Sequence, residues 1–431
     1  MIVQLLEQAS GRAELADATV KTDETVTLLF ESGRLKRTSW SEERGINLRV
    51  RADGRLGVAG STAAQPAGLV EAALASAAIG DPANLILPSP SPLPSVRTHS
   101  AATATASVAD LAALGQGLVE RLSRDGWQVN VTVERSAGSV RVANSRGVET
   151  AYEVTGLWLG AEITRVTGDD ILMVGDHYAA ADLPDETVVA GLAESIRRRV
   201  GWAERPAPPP RGELPVLFTP AGSRALLLPV RQACLGKAVL QGVSPLAGRV
   251  GEQVFDTRLT LTDDPWVAGA SGSRAVDDEG VVTRRMALVN AGVLGGFIYD
   301  LETAARADVP ATGHARRTTF GKPQAGYSNL LLAPGESSWE DLVAAIPDGL
   351  IVDDLIGVGQ GNVIGGAFSH PVALAFRVTG GEVVGRVKDA AVAGNAFELL
   401  GRVAGLGREV ERRGSLMVPP ILLEGVSVVP R

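Results

Sequence analysis

The run Arg205-Pro-Ala-Pro-Pro-Pro-Arg211 constrains this chain more than any other stretch. Four prolines in its first six positions remove four backbone donors and fix four φ angles, which neither a helix nor a sheet interior accommodates. The main junction is therefore placed there, with one unit at 1–204, a linker at 205–211 and a second unit at 212–431. A chain of 431 residues is long enough for two domains or one large one. With 45% hydrophobic but only 4% aromatic residues, its core must be built mostly from Ala, Val and Leu.

Hydrophobic periodicity gives the order of elements. A short helix at Ile2–Gln8 precedes alternating strands at 18–22, 25–31, 34–40, 46–51 and 56–60, with Asp53-Gly54 as a hairpin turn, and a helix at 66–79 closes this part. A proline-rich spacer at Pro88–Ser95 reads as extended surface chain. Beyond it lie an amphipathic helix at 107–124, four alternating strands, and a helix at 187–200 whose arginines read as a solvated helix end.

After the linker, a buried strand at 216–218, a turn at 219–222 and an apolar helix follow. Ser223 is placed as its N-cap and Ala225, Leu226, Leu227 and Leu228 as its buried face. Strands dominate the remainder: 258–262, a hairpin of 281–289 with 293–300, then 350–356, 372–378 and 382–387. Short helices at 339–345 and 395–403 punctuate them. This order predicts an α+β fold: an N-terminal mixed domain and a C-terminal β-rich domain with mostly antiparallel sheet.

The formal net charge of −8 offers no basic stripe, which argues against direct nucleic-acid binding. A single cysteine, Cys234, rules out an internal disulfide and a cysteine-based metal cluster. The N-terminus does not read as a signal peptide, and no apolar run reaches membrane-spanning length, so a soluble cytoplasmic protein is expected.

Several phrases occur together in the second unit. They are Gly251-Glu-Gln-Val-Phe255, Asp263-Asp-Pro265, Asp277-Asp-Glu-Gly280, Thr312-Gly-His-Ala-Arg316, Ser328-Asn-Leu-Leu-Leu332, Ala367-Phe-Ser369 and Ala393-Gly-Asn395. The first unit adds Glu31-Ser-Gly-Arg-Leu35 and Gly45-Ile-Asn-Leu-Arg-Val50. In order and spacing the chain resembles the TldD/PmbA family, historically called modulators of DNA gyrase. That resemblance implies a two-branch system. The TldD branch is a metallopeptidase with HExxxH on the helix after the first C-terminal strand and a later cysteine as third ligand. Two imidazoles and a thiolate hold zinc there, and the Glu takes a proton from water. The TldE/PmbA branch lacks the motif and partners the first.

The motif position here falls on Leu228–Ala233 or, shifted by one, on Pro229–Cys234. The first register puts Leu228, Pro229 and Ala233 where His, Glu and His are required. The second puts Pro229, Val230 and Cys234 there, and 413–420 supplies no late thiol or imidazole. The chain is therefore identified as the TldE/PmbA type, with no catalytic or metal-ligating residue of its own and no cofactor. Zinc is expected in a TldD-like partner. The expected partners are that protein as a heterodimer, or a second copy of this chain, and an unfolded peptide. Two alternatives stand beside this: a metal-independent hydrolase using Cys234 or carboxylates, and a purely structural homodimer.

The remaining polar residues have plain readings. Cys234 is expected to be a small buried hydrophobe. His314 is placed in a surface loop and His370, before Pro371, in an extended turn. Asp263-Asp264 reads as a turn and Asp277–Gly280 as a solvated loop, with a weak cation site conceivable. Gly313, His314, Gly359, Gly361 and Ser369 are the candidates for facing substrate or partner, because the glycine-dense stretch 357–366 lets backbone approach closely.

Overall fold

The computed structural model describes residues 1–431. The N-terminal half is built on six antiparallel strands in the spatial order β3-β2-β1-β4-β5-β6. These are β1 (Leu15–Glu31), β2 (Arg34–Ala52), β3 (Arg55–Ser61), β4 (Gln128–Asn144), β5 (Glu149–Thr167) and β6 (Asp170–Ala180). The strands are far longer than their periodicity suggests. The segments read at 18–22 and 25–31 are one strand, and those at 34–40 and 46–51 are another. The polar stretch Thr22–Glu24 breaks the hydrophobic pattern without breaking the ladder, because its backbone still pairs on both sides.

One face of this sheet carries helices at both ends. Ala16, Ala18 and Val20 lie under α1 (Ile2–Ala9) and α2 (Leu69–Ala78), forming a small Ala-rich core. Val26, Leu28 and Phe30, on the same face two residues apart, lie under α4 (Val108–Leu122), which follows the short α3 (Ala101–Thr105). Ser107 and Asp110 close a reciprocal capping box at the start of α4. The spacer 88–95 has no regular structure, and Asn144 anchors its start by donating to the Pro88 carbonyl at 2.9 Å.

Inside the proline run, β7 (Pro206–Ala207) pairs at the outer edge of an eight-stranded sheet, a location that tolerates proline. The path of that sheet is β15-β8-β22-β18-β16-β17-β7, from β8 (Gly212–Phe218), β15 (Asp348–Leu355), β16 (Ala367–Thr379), β17 (Glu382–Val387), β18 (Ala390–Asn395) and β22 (Ile421–Pro430). To these β19 (Val403–Leu406) is added on β22. The C-terminal half of β16 also pairs with β15, so five strands close into a ring. His370 lies within β16, not in a turn, because Pro371 sits where the strand leaves β18 for β15.

Alternation in β8 shows how the layers are divided. Leu217 enters a core shared with α4 and α5 (Glu186–Ala203), whereas Val216 and Phe218 face the opposite side with α6 (Arg224–Ala233). Helices α4 and α5 thus pack between the N-terminal sheet and the C-terminal one. The other face of the ring is covered by α6, α10 (Ala396–Leu400) and a sheet of β9 (Leu261–Asp263), β10 (Met286–Asn290), β11 (Val293–Leu294), β14 (Leu330–Leu332), β20 (Glu411–Arg413) and β21 (Leu416–Val418). The hairpin read at 281–300 is real but short, since 264–285 is a loop held by side chains. The fold is α+β, and its pairings are mostly antiparallel. No helix is long and apolar enough to cross a membrane.

Candidate functional site

Helix α6 is fixed by the strand before it. β8 runs parallel to β15, and the turn Thr219–Gly222 brings the chain hard against that neighbour. A Cβ on Gly222 would stand 2.3 Å from the Val352 carbonyl oxygen, so only glycine fits. Ser223 is the N-cap residue but does not cap with its side chain; its hydroxyl donates back to the Pro220 carbonyl at 2.8 Å. Ala225, Leu226 and Leu227 are buried as read, whereas Leu228 is only half-buried.

The positions that matter chemically are Leu228, Pro229, Val230, Ala233 and Cys234. Pro229, Val230, Ala233 and Cys234 are buried in the C-terminal core. Pro229 lies inside the helix and has no N–H to give the Ala225 carbonyl. Cys234 ends the helix as a free thiol, and burial alone pushes it up to about 12. Leu, Pro, Val and Ala offer no lone pair to a metal, and a thiol held protonated is neither a ligand nor a nucleophile. No group of three or more His, Cys, Asp or Glu side chains is arranged to hold a metal ion. The residues on α6 therefore do not fit zinc.

The glycine-dense stretch comes to this helix. Gly359, with φ of +98°, leaves 3.4 Å between an added Cβ and the Leu228 side chain. Gly359 and Gly361 are exposed, and the far end of the stretch is tied down where Asn395 donates to the Gly365 carbonyl at 3.1 Å. Ser369 is exposed on β16. Leu228 thus sits beneath an exposed loop, next to the helix position at issue.

Gly313 and His314 are elsewhere in character. Both are buried, which corrects the surface-loop expectation. His314 Nε2 lies 3.0 Å from the Asp263 carboxylate, and its Nδ1 lies 2.9 Å from the Thr312 hydroxyl. Asp263 also accepts from the Ser328 amide at 2.8 Å. The two aspartates of the 263–264 pair point apart, one inward and one to the rim, as neighbours on a strand must.

Asp277–Gly280 is likewise buried, not solvated. The Asp277 carboxylate accepts from the amides of Glu279, Val281 and Ala315. Asp278 accepts from Lys21 Nζ at 2.7 Å and from the Arg317 amide. Glu279 accepts from Arg49 at 2.6 Å and from the Leu301 amide at 2.7 Å, while Arg49 and Arg317 both pair with Asp17. Burial, then Asp277 and Asp300, push the Glu279 carboxyl up to about 7 against the pull of Arg49. These ions join β1 and β2 to the C-terminal loops. All the acidic side chains are committed to protein donors, so the loop offers no free cation site.

A further corrected expectation lies on α5. Arg199 is buried and pairs with Asp353 at 2.7 Å and Asp176 at 2.8 Å, so this part of the arginine cluster is an internal link. Sequence reasoning missed these networks because partners such as Glu279 and Leu301, 22 positions apart, or Lys21 and Asp278, 257 apart, are paired by no local pattern. The one local signal was Arg49 alternating with Asn47 on an otherwise apolar strand.

A groove of about 910 Å3 lies on the N-terminal sheet between α1 and β4, lined by Gln4, Thr22, Arg44, Ser139 and Arg141 among others. It is formed wholly by the N-terminal half and carries no residue of α6.

Residues 211–430 match the PmbA/TldA metallopeptidase C-terminal domain, and residues 16–79 match PmbA/TldA metallopeptidase domain 1. A metalloprotease of Methanothermobacter thermautotrophicus is 28% identical over 421 residues, covering 94% of this chain and 90% of that protein. The metalloprotease PmbA of Escherichia coli O157:H7 is 22% identical over 438 residues, covering 98% and 94%. The crystal structure of TldE from Thermococcus kodakarensis has a TM-score of 0.90 at 25% identity and covers 99% of both chains. On the domain matches and the fold together, this chain belongs to the PmbA/TldD metallopeptidase family.

Proposed function

We propose that this chain is the non-metal, TldE/PmbA-like subunit of a TldD/TldE-type metallopeptidase complex that acts on unfolded peptides or small proteins. The observation that carries the reading is the make-up of α6. Where the zinc-bearing branch is expected to hold two imidazoles and a carboxylate, this helix places Leu228, Pro229 and Ala233, or Pro229, Val230 and a protonated, buried Cys234. No step of hydrolysis is assigned to these residues. The TldD-like partner supplies the zinc, and this chain supplies surface.

One part of that surface is suited to the task. Over residues 34–44, β2 pairs with β1 on one side and with nothing on the other, because β3 covers only Ile46–Ala52. Every residue of 34–44 is exposed, including Trp40. A free edge of this length can bind extended chain through main-chain hydrogen bonds with little dependence on sequence. Work in the cytoplasm suits a chain whose single cysteine is free.

The test is co-purification with the TldD-like chain of the same genome, followed by peptide cleavage with and without chelator. Cleavage by the pair alone, abolished by chelator, is the expected result. Stoichiometric zinc and cleavage by this chain alone would overturn the reading, as would a stable self-dimer that ignores the TldD-like chain.

A further inference from the structure

The C-terminal loop 264–285 buries an arginine that nothing in the chain satisfies. Arg274 is 1% exposed, and its Nε, Nη1 and Nη2 all lack a hydrogen-bond partner. A buried guanidinium left in that state is among the most costly groups a fold can carry. Its backbone is pinned on both sides. Its amide donates to the Pro265 carbonyl at 2.9 Å, and its own carbonyl accepts from the Thr283 hydroxyl at 2.7 Å. Asn329 staples the residues just before it, donating to Ser273 Oγ and accepting from the Gly272 amide.

Asp277 and Asp278 lie near enough to offset part of its charge, but neither accepts a hydrogen bond from it. Asp277 is spent on three backbone amides, Asp278 on Lys21 and the Arg317 amide, and Asp263 on His314 and the Ser328 amide. A second guanidinium stands close by instead. Arg316 makes only two long contacts, at 3.3 Å, to the carbonyls of Gly272 and Tyr327, and no ion pair. Burial and the charge of Arg274 together bring its acidity to about 10. On the other side of the seam Tyr152 of β5 feels both arginines. It lies on the same row of the N-terminal sheet as Lys21, with Val140 between them. Arg316 and Tyr152 are only partly buried, so the group has a way in.

We propose that Arg274 and Arg316, with the Tyr152 hydroxyl, form a binding site for a small oxyanion at the seam between the two halves of the chain. The buried fork of Arg274, with all its donors free, can donate to two oxygens of one planar or tetrahedral anion, and Arg316 supplies the second charge. A carboxylate, such as a peptide C-terminus, and inorganic phosphate present the same chemistry. Which of the two fills the site is a matter for the assay.

The experiment is thermal unfolding of the full chain in a sodium chloride background, titrated separately with acetate, with phosphate, and with a short peptide bearing a free or an amidated C-terminus. The expected result is a rise in Tm of about 2 °C per tenfold excess over the dissociation constant for at least one oxyanion, absent in Arg274→Met. Arg316→Met, at a partly exposed position, must lose the same response, which keeps the test valid if the first variant folds poorly. A response to the free-acid peptide but not to its amide assigns the site to a peptide end, and a response to phosphate alone assigns it to the inorganic ion. No response in the native chain, or an equal response in both variants, would overturn the proposal.

Discussion

His314 Nε2 and the Asp263 carboxylate face each other at 3.0 Å, with both side chains almost wholly out of solvent. The pair joins the end of β9 to the loop that follows α8 (Leu301–Ala307) and carries His314. Removing the imidazole strands a buried carboxylate beside the Ser328 amide. His314→Ala should therefore cost about 3–5 kcal/mol, read as a fall in the urea midpoint at unchanged m-value. A change in zinc content with little change in stability would contradict this structural role.

Arg199 is predicted to hold the two large sheets together. It reaches from α5 to Asp176 on β6 and Asp353 on β15, and Arg413 shares Asp176 at 3.1 Å. Burial raises the Asp176 carboxyl, but Arg199 and Arg413 outweigh it and hold the group below the ordinary range. Arg199→Met should leave buried Asp353 without a cation and Asp176 with Arg413 alone, and lose about 3–5 kcal/mol. Hydrogen exchange should quicken at β6 and β15 ahead of the distal end of β1.

Stability near neutral pH should fall as pH rises, through Glu279. Its carboxyl is raised to about 7 in the fold, so the folded chain binds more protons than the unfolded one between the ordinary carboxylate value and that point. The contribution is fully present below ~4.5 and is lost as pH climbs through 7. Glu279→Gln should flatten this part of the Tm–pH curve. Parallel curves for the variant and the native chain between pH 5 and 8 would rule the assignment out.

Cys234 should be silent chemically. Its thiol is raised to about 12 by burial, so thiol reagents should label it only at the rate of unfolding. Cys234→Ala should leave cleavage by the reconstituted pair unchanged and cost about 1 kcal/mol or less in stability.

Gly222→Ala is predicted to displace α6. The new methyl would meet the Val352 carbonyl at 2.3 Å, and neither strand nor turn has slack. A loss of about 1–3 kcal/mol is expected, measured by chemical denaturation. A crystal structure of the variant with α6 unmoved would refute it.

What the sequence made legible was whatever local pattern controls. Strand alternation, the Asp53-Gly54 turn and the amphipathic 107–124 helix gave the α+β class, and residues 228–234 contain no imidazole or carboxylate. What it hid depends on distant partners. His314 sits in a phrase rich in Gly and Arg that looks like surface, and only Asp263, fifty-one positions away, makes burial tolerable. Asp277, Asp278 and Glu279 look like a solvated acidic loop until Lys21, Arg49 and the backbone amides of 279–281 and 315–317 are placed around them. Polar residues in a strand, such as Asn47 and Arg49, mark a face that meets another polar layer, and a hydrophobicity pattern scores them as exterior.

Packing keeps α6 closed to metal chemistry. A metal-binding helix in this place would need imidazole at Ala233, a site with 0% exposure in the core, and a carboxylate at buried Pro229. Each change alone would overfill or charge the interior before any ligand set was complete. A metal site on α6 is therefore beyond the reach of single substitutions, since each one unsettles the core before it contributes to a ligand set.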